Sequence, residues 1–251
     1  MIVALPAHAK INLALKVAGK RPDGYHDIDT TLQSISLHDL LQAERAEETT
    51  LELHGADAPS GEGNLVLRAL QTLERSTGRR LPLRFTLWKR IPSGAGLGGG
   101  SADAAAALRL AGRLYGLQVA LPELAAQIGA DVPFFLTGGC ARATGRGEVI
   151  ETRPHCGTWF VVAWPGLQVS TAAVYSQWAP GQMASRNDLQ EAAMRVEPSL
   201  RDYALKLGDD WRMTGSGSAF FRACRDRSSA EAAIAGLDGW KVAVQAVGPW
   251  G

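Results

Sequence analysis

A chain of 251 residues, 46% hydrophobic and 20% charged, has the balance of a soluble globular protein and can bury one large core or two of ordinary size. Its formal net charge of +1 excludes a global field toward nucleic acid or an anionic membrane, and no apolar run approaches membrane-spanning length. Three scattered cysteines, Cys140, Cys156 and Cys224, form neither a metal-ligand spacing nor a disulfide framework, so a reducing cytoplasm is the expected location.

The opening Met1-Ile2-Val3-Ala4-Leu5-Pro6 is too short to read as a signal peptide. Residues 2–17 read as an extended strand pair, with Lys10 and Asn12 on one face and Ile11, Leu13 and Leu15 on the other. A strand lysine is ordinarily solvated, so Lys10 gains meaning only from its company. Pro22-Asp23-Gly24 predicts a turn, since proline presets φ and glycine accepts φ > 0. The turn presents Tyr25 and His26 side by side, as ordinary rim residues or as the aromatic face and donor/acceptor ring that a flat base requires. Residues 28–37 alternate again, Asp39-Leu40-Leu41 leads toward a strand at 50–53, and residues 56–61 read as a loop. Leu65, Ala69 and Leu73 have helical spacing after Asn64, and Gly78 ends that helix.

Leu83, Phe85 and Leu87 then alternate with Arg84, Thr86 and Trp88, a strand with one buried face, ahead of Lys89. It feeds Pro92-Ser93-Gly94-Ala95-Gly96-Leu97-Gly98-Gly99-Gly100-Ser101, which holds five of the chain's 28 glycines. An alanine run beginning at Ala102 predicts a helix over 101–114 with Ser101 as its N-cap. Strand, glycine loop and helix N-terminus together expose backbone N–H groups beside a positive helix end, which suits a polyphosphate. The plainer reading is a turn that lets the helix pack closely on a sheet. Gly94-x-Gly96-x-x-Gly99 matches a dinucleotide fingerprint by letter, but no acidic residue stands about 20 positions on. Gly94-x-x-x-x-Gly99 matches a P-loop except that Gly100 occupies the lysine position, so an essential cation must come from elsewhere.

A further helix begins at Pro122 and stops near Gly129. In Gly129-Ala130-Asp131-Val132-Pro133, the carboxylate stands just before a rigid corner, either as a helix cap or as an oriented chemical group. Residues 138–141 and 144–147 read as tight strand connections. A composition shift at 152–155 divides the chain into expected domains 1–153 and 154–251. Beyond it the pattern predicts a strand at 159–164, a helix at 171–178, helices within 187–207 and a strand near 211–213. A strand at 218–224, a helix at 229–236 and a strand at 240–247 follow. A second glycine loop, Thr214-Gly215-Ser216-Gly217-Ser218, lies between two of these strands.

Ala9-Lys10-Ile11-Asn12-Leu13, the 92–101 loop and Gly215-Ser216-Gly217 together resemble the GHMP kinases. Gly24-Tyr25-His26, Asp103-Ala104-Ala105, Gly129-Ala130-Asp131-Val132-Pro133, Asn187-Asp188-Leu189 and Thr214 extend the resemblance, in order, toward a branch whose substrate carries a cytidine diphosphate. The resemblance implies an α+β, two-domain architecture. Its N-terminal domain would be like domain 2 of ribosomal protein S5, its C-terminal domain ferredoxin-like, and the site would lie between them. It implies ATP-dependent phosphorylation of an alcohol, with ATP as co-substrate accompanied by Mg2+, whose ligands are left open. Asp131 would be the catalytic base and Lys10 its cationic partner, with Asn12 lining the same site. Pro92, Ser93, Gly94, Ala95, Gly96, Leu97, Gly98, Gly99, Gly100, Ser101 and Ala102 would wrap the phosphates, with Asn64 and Lys89 near the nucleotide. Tyr25 and His26 would hold the cytosine, with Thr171 and Tyr175 on the same side and Tyr175 closing a sandwich against Tyr25. The partner is a small molecule, not nucleic acid or membrane, and the oligomeric state stays open.

Two positions depart from the family pattern: His8 stands where proline is usual, and Ala102 where a second serine is usual. A homoserine or mevalonate type of GHMP kinase is the alternative, set aside because a small aliphatic substrate has no flat base for Tyr25, His26 and Tyr175. A nucleotide sensor would need neither Lys10 nor Asp131. Asp103 and Arg146 stand poised for pairing near the loop, as site or scaffold.

Overall fold

A computed structural model describes residues 1–55, 59–155, 157–181 and 186–250, apart from the side chain of Glu62. Part of the expected 56–61 loop and Cys156 lie outside the described residues.

Two long strands form the spine. β1 (Ile2–Lys20) and β2 (His26–Arg45) pair antiparallel across the turn at 22–24. The strand pair expected within 2–17 is therefore one strand, and its partner lies beyond the turn. Nothing inside 2–17 reverses the chain; instead the register slips at His8/Lys10, Asn12/Ala14 and Val17/Gly19. Such bulges bend and twist a strand, which lets one hairpin serve three cores. Ala7, Leu32 and Leu41 join the first, Leu15, Val17 and Ile28 the second, and Ala9, Ile11 and Ile35 the third.

β3 (Thr50–Gly55), β4 (Leu83–Lys89), β5 (Cys140–Gly145) and β6 (Val149–Arg153) complete a sheet ordered β3-β4-β2-β5-β6, with β1 on β2. The alternation read in β4 is real: Leu83, Phe85 and Leu87 are fully buried. α1 (Leu65–Thr77), α2 (Gly99–Tyr115) and α3 (Leu121–Ile128) supply the facing side of the first core. α2 comes close because Ala102 and Ala104 to Ala107 offer only methyl groups to the sheet, and all five are buried.

α2 begins two residues earlier than expected. Its N-cap is Gly98, at φ 73°, so Ser101 sits inside the first turn rather than capping it. Asn64 is the N-cap of α1 and accepts a hydrogen bond from Val66 N at 2.9 Å. Asp131 caps nothing: α4 (Phe134–Thr137) starts after Pro133 with no side-chain cap, and residues 130–133 form turns rather than an extended corner.

The second half folds as β7 (Trp159–Trp164), α5 (Thr171–Gln177), α6 (Gln190–Val196), α7 (Ser199–Leu207), β8 (Arg212–Met213), β9 (Phe220–Cys224), α8 (Arg227–Ala235) and β10 (Trp240–Gln245). Its antiparallel sheet has the order β10-β7-β9-β8, the arrangement of a ferredoxin-like unit. The third core joins the halves. Ile91, Ala95 and Leu97 of the glycine loop pack there with Ile11, Ile35, Phe160, Val162, Phe221 and Val244. His8 is accommodated in β1 by a contact of its Nδ1 with Ile35 O at 3.0 Å and a stack on Trp250 at 5.2 Å. No helix among the described residues is long and apolar enough to cross a membrane.

Candidate active site

The glycine loop is held by its own alternation. Ala95 and Leu97 are each 1% exposed and anchor it in the third core, while Gly94, Gly96 and Gly98 adopt φ of 70°, 77° and 73° before, between and after them. Anchors and left-handed glycines together turn the backbone toward a cavity of about 1050 Å³. Glycine is required at Gly96 on two counts: φ is positive, and a Cβ would lie 2.5 Å from Thr214 O and 2.8 Å from Gly217 O. Gly96→Ala is expected to destabilise the fold by about 1–3 kcal/mol through local strain and to weaken ATP binding. Thermal unfolding and ATP titration check this, and a variant with wild-type values in both would contradict the close approach.

Lys10 projects from β1 beneath the loop and is 4% exposed. Its Nζ donates to Asn12 Oδ1 at 2.7 Å and Gly96 O at 2.8 Å, and lies 3.9 Å from Asp131 Oδ2. Burial holds the Lys10 pKa below the usual lysine value, and the charge of Asp131 partly restores it. Asn12 is a positioner rather than a free donor. Its Nδ2 donates to Thr30 Oγ1 at 2.8 Å, and its Oδ1 accepts from Lys10 and, at 3.2 Å, from Thr214 Oγ1. The second glycine loop thus fixes the lysine through Thr214, while Asn187 holds that loop by donating to Met213 O and Gly215 O.

Asp131 is half-buried and faces the same cavity. Tyr25, His26, Thr171 and Tyr175 also line it. Tyr25 and Tyr175 both border the cavity, each with a neighbouring side chain against its ring. Tyr175 stacks on His26 with centroids 5.1 Å apart, Trp178 meets His26 edge-on at 5.6 Å, and Arg146 lies 5.0 Å over Tyr25. Burial, with a smaller contribution from Asp131, pushes the Tyr175 hydroxyl up, so it stays a neutral donor. Burial and the nearby Lys20 lower the His26 pKa. Thr171 Oγ1 is 2.8 Å from Ser216 Oγ, tying α5 to the second glycine loop.

Asn64 and every residue from Pro92 to Ser101 border the cavity. Ala102 does not; it is buried in the first core, 2% exposed, where a methyl group fits under the sheet. Lys89 borders the cavity but its ammonium is committed below the loop, 2.5 Å from Asp39 Oδ2 and 2.7 Å from Asp103 Oδ2. Asp39 Oδ1 also accepts from Arg90 N at 2.5 Å and Ile91 N at 2.9 Å, clamping the strand's exit into the loop. Asp103 is thereby scaffold. Trp178 and Asp39 are the residues that sequence reasoning passed over. Trp178 stands three positions after Tyr175, the spacing of one helix face, which is the signal that could have found it.

Phosphoryl transfer asks a protein for positioning and for charge at the transferring group. A cavity lined by a glycine-rich backbone loop, with a buried ammonium and a carboxylate beside it, has the makings that a small-molecule kinase requires. Residues 64–139 match the GHMP kinases N terminal domain. A 4-diphosphocytidyl-2-C-methyl-D-erythritol kinase of Pelotomaculum thermopropionicum is 44% identical over 83% of this chain and 75% of its own. A crystal structure of 4-(cytidine 5'-diphospho)-2C-methyl-D-erythritol kinase superposes with a TM-score of 0.83 at 36% identity, covering 98% of this chain and all of that one (100%). A mevalonate kinase structure superposes with a TM-score of 0.69 over 99% of both chains at 10% identity, a likeness of fold alone. The chain belongs to the GHMP kinases and, among them, to the 4-diphosphocytidyl-2-C-methyl-D-erythritol kinase family.

Proposed function

We propose that this enzyme transfers the terminal phosphoryl group of ATP to the 2-hydroxyl of 4-diphosphocytidyl-2-C-methyl-D-erythritol, in the non-mevalonate route to isoprenoid precursors. The observation that carries the reading is the 3.9 Å approach of Lys10 Nζ to Asp131 Oδ2 in one cavity with both the glycine loop and the aromatic group at Tyr25, His26 and Tyr175. Asp131 accepts the hydroxyl proton as the oxygen bonds to phosphorus and the bond to the departing ADP oxygen breaks. Lys10, held by Asn12 and Gly96 O, faces the transferring group and offsets its charge. Backbone N–H groups of residues 94–101 hold the phosphates, Asn64 borders the nucleotide, and Lys89 stiffens the loop from below. Tyr25, His26, Tyr175 and Thr171 hold the cytosine side, joined by Trp178.

Among the described residues no three His, Cys, Asp or Glu side chains gather into a metal cluster. Mg2+ commonly keeps its waters and binds through substrate phosphates with one or two protein oxygens. Ser101, an oxygen donor on the cavity wall, fits that mode and would hold it. The ion would neutralise phosphate charge. We also propose that 1–153 and 154–251 are the two domains, since each carries its own sheet.

The test is ADP release with the cytidine substrate, mevalonate and homoserine offered separately. Turnover is expected with the cytidine substrate. Equal or faster turnover of mevalonate or homoserine would replace this reading with the other GHMP type.

A further inference from the structure

The β5–β6 turn Gly145-Arg146-Gly147 brings Arg146 to the cavity wall, where the proposed chemistry gives it no task. Its backbone is fixed: Gly147 N donates to Thr144 O at 3.1 Å and Arg146 N to Glu148 Oε2 at 2.7 Å. At one end the turn touches the carboxylate, since a Cβ on Gly147 would lie 3.7 Å from Asp131 Oδ1. At the other end the Arg146 guanidinium reaches over the Tyr25 ring, 5.0 Å from its centroid. Arg146 is half-buried and lines the cavity. Its one ion pair, to Glu148, is long at 3.8 Å, and its side chain makes no hydrogen bond among the described residues. With Nε turned to Glu148 and Asp23 also within electrostatic reach, the four N–H groups of the two terminal nitrogens remain for an incoming group.

We propose that Arg146 is a specificity-determining residue that receives the diphosphate of a base-diphosphate substrate while holding the Tyr25 ring for the base. This deepens the functional reading above and rests on it. A substrate with its hydroxyl at Asp131 and its base at Tyr25 must carry its diphosphate between them, along the turn that touches both. The planar guanidinium fork matches phosphate oxygens, and stacking on an aromatic ring orients it beforehand. Tyr25 is 57% exposed, so one ring face stays open for a base while Arg146 covers the other. Lys20 adds a second positive charge to the same wall, close enough to His26 to lower its pKa.

The experiment titrates cytidine and CDP into the wild type, Arg146→Met and Arg146→Lys by calorimetry, without turnover. The wild type is expected to prefer CDP over cytidine. In Arg146→Met that preference falls by about ten- to a hundredfold, the value of a charge-assisted contact. Arg146→Lys keeps part of it, because an ammonium retains the charge and loses the fork. In steady state the loss falls on KM for the cytidine substrate more than on kcat. A CDP preference unchanged in Arg146→Met overturns the proposal. Equal losses for cytidine and CDP also overturn it, by assigning Arg146 to Tyr25 alone. A wild type that binds CDP yet does not phosphorylate the cytidine substrate would sink the functional reading instead, so the two failures are told apart.

Discussion

Asp131→Asn is expected to lower kcat by about 10²- to 10⁴-fold, the range of a positioned general base, with ATP affinity largely kept. The side chain is nearly isosteric, so the cavity keeps its shape. Among the described residues Asp131 caps no helix and makes one ion pair, with Lys10 at 3.9 Å. The loop that wraps the phosphates is anchored elsewhere, by Ala95 and Leu97 in the third core. A second signature separates chemistry from shape. Burial already lowers the Lys10 pKa, and Asp131 is what pulls it back up. Losing that carboxylate lowers it further, so Lys10 sheds its proton at a lower pH. The alkaline limb of the residual rate is expected to move to lower pH in Asp131→Asn, read from the kcat–pH profiles of variant and wild type side by side. Wild-type turnover in the purified variant would remove Asp131 from the reaction.

How much of this was legible beforehand depends on what each signal can carry. Alternation at 83–88 identified β4 and its buried face, because period-2 patterning reports burial directly. The same alternation over 2–17 could not say where a strand ends; only Pro22-Asp23-Gly24 did. The glycine loop was legible as a phosphate cradle from local letters. That its Ala95 and Leu97 are anchors needed the third core, which is assembled from both sheets. Lys10 and Asp131 became a pair only through family resemblance, since residues 121 positions apart in sequence leave no local trace of a 3.9 Å approach. Lys89 was placed near the nucleotide by family resemblance, and it does border the cavity, but its two carboxylate partners left no local trace. Asp39 lies 50 residues before it and Asp103 14 after it. The sandwich expected of Tyr25 and Tyr175 came from the family resemblance. That His26 packs against Tyr175 and Trp178 had no local signal, because α5, whose C-cap residue is Trp178, brings both rings to it from about 150 residues away.

The buried trio beneath the loop carries the largest expected effect on stability. One ammonium, Lys89, stands against two carboxylates, Asp39 and Asp103, all under 7% exposed. Burial pushes the Asp103 carboxyl up to about 7, with Asp39 adding to the rise and Lys89 opposing it. Asp103 Oδ1 has no hydrogen-bond partner among the described residues, which leaves a seat for that proton. An unfolded aspartate titrates near about 3.9, so between the two values the folded chain binds the proton more tightly. The stabilisation it brings is whole below about pH 4 and is lost as pH rises through about 7. Lys89→Met removes the cation and leaves buried negative charge, at a cost of about 3–5 kcal/mol, or a Tm drop of about 10 °C at pH 8 for a chain of this size. At pH 5 the drop is expected to be clearly smaller, because Asp103 is then protonated and the uncompensated charge is less. The loop should loosen as well, since Asp39 clamps Arg90 N and Ile91 N while Lys89 and Asp103 pin the start of α2, so KM for ATP rises in parallel. Thermal melts of wild type and Lys89→Met at both pH values decide it. Equal losses at pH 5 and pH 8 would mean that the lysine contributes packing alone and that the trio does not titrate.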